Sequence, residues 1–130
     1  MASEVQQRID QLGERLRRSV VLNDPHVRAT HASLHYGDED EVRIKGVMHR
    51  DAGSRVIAHV LEQGVERWTG PGRIPAAPDL GLLGRLLVPV RWHGEVLGAV
   101  LVIDADESLT PDEIAPVSYT HLTLPTNREV

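Results

Sequence analysis

The sequence predicts an α+β domain, and three observations carry that expectation. A helical apolar stripe opens the chain, and a capped helix start stands near its end. Two long apolar runs rich in β-branched residues flank His93-Gly94, which is the signature of an antiparallel hairpin. Further helical stretches lie between this hairpin and an earlier, shorter strand pair. Strands joined by tight turns pair antiparallel, and helices interleaved with them cover the faces of the resulting sheet. At 130 residues, 41% hydrophobic and 25% charged, the chain has the material for one globular domain that buries roughly two-thirds of its unfolded surface.

Each element has a local reason. In residues 3–18, Val5, Ile9, Leu12 and Leu16 recur at helical spacing on one face, and Ser3 with Gln6 fits a capping box. Arg15, Arg17 and Arg18 suit the negative end of the helix dipole, while Gly13 lowers its helical propensity. The stripe is a candidate dimer seam, although it is too short for a coiled coil. Residues 19–22 form a short apolar run halted by Asn23-Asp24-Pro25, and residues 27–35 alternate as a returning strand. After a polar break, residues 42–49 fit a helix with Asp40 as its cap and Val42, Ile44, Val47 and Met48 as its apolar side. Ser54 is placed as the cap of a third helix that buries Ile57, Val60 and Leu61 and stops at Gly64. Residues 69–84 are expected to be a Gly/Pro loop, with at most one strand near 65–69.

The hairpin follows as strands 85–92 and 95–104. With a two-residue turn Pro89 would face Gly98, a missing donor opposite a missing side chain, which marks a bulge or a close approach. Thr110 as N-cap, Pro111 at N1 and Glu113 completing a capping box open the last helix.

Composition excludes several classes of function. Without cysteine there are no disulfides, thiolate nucleophiles or thiolate metal sites. With 14 basic and 19 acidic residues the net charge is −5, which opposes binding of nucleic-acid phosphates by this chain. Phe is absent, and two Trp and two Tyr supply little stacking surface. No apolar run reaches the ~20 residues of a membrane span and the first residues lack a signal-peptide pattern, so a cytoplasmic location is expected. Lys45 is the only lysine among many arginines, a bias of GC-rich genes.

The final stretch, VSYTHLTLPTNREV, resembles the conceptual translation of a transposase-type sequencing adapter, codon by codon from Val117 to Thr126. Asn127-Arg128-Glu129 would be an index and Val130 the adapter's last codon before a stop. The division expected is therefore an N-terminal helix over 1–18, the domain body over 19–115 cut within its last helix, and a non-native tail over 116–130. Such a tail should add nothing to the core and should leave an apolar patch on the sheet beneath the shortened helix.

Two sets of residues carry a family resemblance. Val88-Pro89-Val90, Gly94-Glu95-Val96-Leu97-Gly98-Ala99-Val100-Leu101-Val102-Ile103 and the following Thr110-Pro111-Asp112-Glu113 resemble the closing hairpin and helix start of GAF domains. Leu34-His35-Tyr36-Gly37-Asp38-Glu39-Asp40-Glu41-Val42-Arg43, Thr69-Gly70-Pro71-Gly72-Arg73-Ile74-Pro75-Ala76 and Asp79-Leu80-Gly81 resemble the N-terminal GAF-like domain of actinobacterial PucR-family transcriptional regulators. The resemblance implies a GAF-like sheet flanked by helices, a pocket for a small metabolite, and a homodimeric full-length protein. Its DNA-binding helix-turn-helix would lie outside this chain. It also puts Tyr36, Arg43 and Arg73 on the pocket rim, with Tyr36 offering one hydrogen bond and Arg73 a fork for a carboxylate. No cofactor, metal or catalytic residue is implied. A dimerisation module whose pocket is filled by its own side chains is the alternative, and a metal-dependent hydrolase a distant one.

The remaining chemical features have plainer explanations. His31 and His35 share one face of a strand, but no carboxylate pattern accompanies them as metal ligands. Asp38 to Glu41 fits a solvated loop feeding a helix N-terminus. No serine sits in a G-x-S-x-G elbow, and Gly70-Pro71-Gly72 lacks the Lys-Ser/Thr of a phosphate loop. Trp68 and Trp92 are expected in packing roles.

Overall fold

The computed structural model describes residues 4–49, 53–92 and 95–118. In chain order the elements are α1 (Glu4–Leu16), β1 (Val20–Asn23), β2 (Ala29–Ala32), α2 (Glu41–His49), α3 (Ser54–Leu61), β3 (Gly72–Ile74), β4 (Arg85–Trp92), β5 (Glu95–Ile103) and α4 (Pro111–Ser118). Short 3₁₀ turns at Val65–Arg67 and Pro78–Leu80 flank β3. The strands form one antiparallel sheet in the order β2-β1-β5-β4-β3, so the domain is α+β. The last strand in sequence, β5, is the middle one in space.

The β4–β5 hairpin is apolar over Leu86–Val88 and Val100–Ile103 because both of its faces are covered there. Leu86, Val88, Val100 and Val102 point to one side and pack with Val20 and Leu22 against Val5, Ile9, Leu12 and Leu16 of α1. Leu87 and Leu101, one residue out of phase, point to the other side and meet Val42, Val56, Val60 and Leu82. The α1 stripe is therefore spent inside the domain's own core and is not a dimer seam. Gly13 of α1 has a steric reason to be there: a Cβ would stand 2.9 Å from the Ser33 side chain.

Several local expectations give way to tertiary packing. α1 ends at Leu16, with Arg17 in the left-handed region at φ 57°, and Arg18 turns away from the helix end toward Asp104. α3 is capped by Gly53 rather than Ser54, and it buries Val56 and Val60 rather than Ile57 and Leu61. In α2 only Val42 and Arg43 are buried, while Met48 is 71% exposed. Within 65–69 only Val65–Arg67 is regular, as a 3₁₀ turn, and the strand of that region is β3, paired with β4 from Gly72↔Leu87 to Ile74↔Arg85. A three-residue strand set by a distant edge leaves no alternation to read. The second strand, β2, is shorter than the run 27–35 from which it was expected.

The hairpin register carries a bulge between Val90 and Arg91, which pairs Pro89 with Ala99 and Val90 with Gly98. Gly98 has φ 156°, and a Cβ there would lie 2.3 Å from the Asn23 carbonyl oxygen. The bulge thus displaces the expected Pro89–Gly98 pairing by one residue, and the close approach at Gly98 is that of the β1 backbone. The turn residues His93 and Gly94, the Ser3 cap and the Trp92 side chain lie outside the described residues.

α4 begins with the capping box read from sequence. The Thr110 amide donates to Glu113 Oε1 at 2.9 Å, and the Glu113 amide donates to Thr110 Oγ1 at 3.2 Å. Leu109 and Val117 are buried with the α1 cluster, and Ile114 packs against it. The sheet face beneath is covered, not exposed as the shortened helix led one to expect, and Val117 belongs to the core at 1% exposure. The rest of the adapter-like stretch, from residue 119, lies outside the described residues. Val117→Ala removes two buried methyl groups and is expected to cost about 1.5 kcal/mol, measured as a lower urea midpoint. An unchanged midpoint would show that Val117 packs without contributing.

Candidate functional site

The segment between β2 and α2 is not a solvated acidic loop. Asp38 accepts the Ser19 amide with both carboxylate oxygens, at 3.1 and 3.0 Å. Glu39 accepts the Tyr36 amide at 3.2 Å and the His35 ring at 3.1 Å. Its carboxyl is held below the usual range: burial alone would raise it, but hydrogen bonds from its own amide, from His35 and from the Tyr36 amide prevail. Asp40 is buried. Its Oδ1 caps α2 through the Arg43 amide at 2.7 Å, and its Oδ2 accepts the Leu83 amide at 2.8 Å and a close ion pair from Arg85.

Because Asp40 fixes the start of α2, Arg43 is carried to the inner face of the helix. Its Nη1 donates to the Ser19 carbonyl at 3.0 Å and Ser19 Oγ at 2.8 Å, and its Nη2 donates to the Leu101 carbonyl at 3.0 Å. The guanidinium thus ties α2 to β1 and to the central strand. Burial, and then the neighbouring Arg85, pushes its pKa down to about 10, with Asp40, Asp38 and Glu39 working against the shift, so it stays charged at neutral pH. Burial likewise lowers Arg85, against the opposing pull of Asp40.

Arg43 and Arg85 line a cleft between the sheet and the α2–α3 layer, walled by Val21, Val42, Val56, Val60, Leu82 and Leu101. An adjoining hollow toward the β1–β2 turn shares Asn23, Val27, Val60 and Leu101 with it. The two spaces measure about 40 and 50 Å³, room for a few water-sized groups each. Val27, which borders both, has φ 64°, a strained setting for a β-branched residue. Asp24 holds that turn, its Oδ1 accepting the His26 amide at 2.8 Å and the Arg28 amide at 3.0 Å.

The three rim candidates are not brought together. Arg43 lines the cleft. Tyr36 is half-buried and is not among the residues that line either space. Arg73, on the edge strand β3, is bound to Asp104, with Nη2 donating to its carbonyl at 2.8 Å and its Oδ2 at 2.9 Å. No protein-family model and no curated protein matches this chain. His31 and His35 take separate partners, Thr30 and Glu39. No group of three His, Asp or Glu that could hold a metal occurs among the described residues. Among them, too, no helix is long and apolar enough to cross a membrane. Trp68 packs at the edge of the second core cluster, and its Nε1 donates to the Gln63 carbonyl at 3.2 Å.

Asp104 serves the fold. Fully buried, it accepts Arg18 Nη1 at 3.2 Å, Arg73, and the amides of Ser108 at 3.0 Å and Leu109 at 3.3 Å. Burial would raise its carboxyl, but the bonds from Arg73 and the Leu109 and Ser108 amides hold it below the ordinary 3.8. The folded state therefore binds this proton more weakly than the unfolded chain. The stabilisation is full above the unfolded value and is lost as pH falls toward the folded one. The urea midpoint should drop as pH is lowered from about 5 to 3. Asp104→Asn should flatten part of that slope, and an identical slope in the variant would remove Asp104 from the account.

Proposed function

We propose that this chain is a non-enzymatic sensor module of the GAF-like, PucR-related kind, acting in the cytoplasm. A small metabolite would bind in the cleft between the sheet and α2–α3. Binding would bias the conformation or homodimerisation of a longer regulator whose DNA-binding part lies elsewhere. The observation that supports this reading best is the apolar cleft with two buried arginines in its wall. The segment resemblance described above supports it independently, and the net charge of −5 favours leaving DNA contact to another domain.

The small size of the cleft favours a second reading, a dimerisation module that takes no ligand, since ligand pockets usually enclose about 300–1,000 Å³. A metabolite screen followed by methyl NMR separates the two. Ligand-dependent shifts at Val42, Val60 and Leu101 with a raised melting temperature support the sensor. Silence at these methyls across the screen, with a concentration-dependent dimer, supports the structural module.

A further inference from the structure

Arg43 offers five N–H donors, and its three hydrogen bonds all go to neutral oxygens. Nη2 uses one of its two hydrogens on Leu101, and Nε donates to no acceptor among the described residues. Nε and Nη2 share the edge of the guanidinium plane that a carboxylate grips with two parallel bonds. Arg43 is only 5% exposed, and Arg85, at 3%, brings a second positive charge to the same cleft. Asp40 neutralises one of the two, and Asp38 and Glu39 offset part of the excess from farther out. A buried cation without its own carboxylate is expensive to hold, so this wall of the cleft favours an anion.

The other walls are aliphatic. Val21, Val42, Val56, Val60 and Leu101 reward a hydrocarbon chain and give a strongly hydrated inorganic anion nothing. About 40 Å³ beside Arg43 accommodates a group of only a few heavy atoms, and the adjoining hollow past Val27 gives a chain room to continue. We propose that the cleft binds a short-chain aliphatic monocarboxylate, its carboxylate taken by the Nε–Nη2 edge of Arg43 and its chain lying among the valines toward Val27. This rests on the sensor reading and adds to it the chemical class of the ligand.

Methyl and amide NMR of the unaltered chain tests the proposal, with sodium propionate as probe against propionamide and sodium chloride at matched ionic strength. Propionate should move Val42, Val60 and Leu101 saturably, and propionamide should bind at least about tenfold more weakly, because the charge-assisted fork is lost. Three results would overturn the inference: equal binding of propionamide, equal shifts with chloride, or no saturable shift with propionate. If neutral metabolites instead move the same methyls, the carboxylate assignment fails while the sensor reading stands. If nothing moves them, both fail.

Discussion

Asp40→Asn is expected to be among the most destabilising single substitutions in this domain. The carboxylate is buried and serves three partners: the Arg43 amide, the Leu83 amide and the Arg85 guanidinium. Asparagine can still cap α2, so the loss comes from leaving Arg85 charged and unpaired at 3% exposure. Removing one member of a buried pair costs about 3–5 kcal/mol, against a total stability of about 5–15 kcal/mol for a small domain. Urea titration measures this directly. Adding Arg85→Met to the variant should recover part of the loss, because the stranded charge is removed. A loss below about 1 kcal/mol for the single variant would show that Arg85 finds another acceptor.

Gly98→Ala should be comparably damaging for a different reason. The new Cβ would meet the Asn23 carbonyl oxygen at 2.3 Å, and a backbone oxygen in a paired strand has no rotamer to escape into. The residue would also take a φ of 156°, which adds roughly 1–3 kcal/mol of conformational strain. Relief requires β1 to part from β5 at the Asn23↔Ala99 pair. A total near 3 kcal/mol lowers the melting temperature on the order of 10 °C, with faster amide exchange confined at first to β1. A shift of only a degree or two would mean that the bulge slides without cost.

What the sequence discloses is what local chemistry decides. The α1 stripe, the Thr110–Glu113 capping box, the Asp40 cap and the β4–β5 hairpin each lie within a few turns or a single loop, and all are legible. The errors share a cause. Val42, Ile44, Val47 and Met48 suggest an apolar side for α2, yet the inward position beside Val42 is taken by Arg43, whose partners are Ser19 and Leu101. Asp38, Glu39 and Asp40 look like a solvated run until Arg85, far along the chain, is placed beside Asp40. Arg73 looks free to grip a ligand until Asp104 is placed under it. Charge pairs across the sheet leave no trace in sequence spacing, so Arg43 is legible as a site residue while its partners are hidden, and the apolar wall is only partly legible, since Val56 is buried where Ile57 and Leu61 are expected.

The central place of β5 imposes an order of assembly. As the chain leaves the ribosome, β1 and β2 emerge first as an isolated hairpin, and β3 and β4 follow as a second one. Two-stranded ribbons are marginal in water, and until β5 arrives no strand pairing joins them. β5 has to enter between β1 and β4, pairing with both. The sheet therefore closes late and in one step, through contacts between distant parts of the chain. Until then the inner edges of both ribbons carry unpaired backbone groups beside apolar side chains, the period when nascent chains aggregate or recruit chaperones. A ribosome stalled before residue 95 would release material for degradation, not a smaller version of the domain.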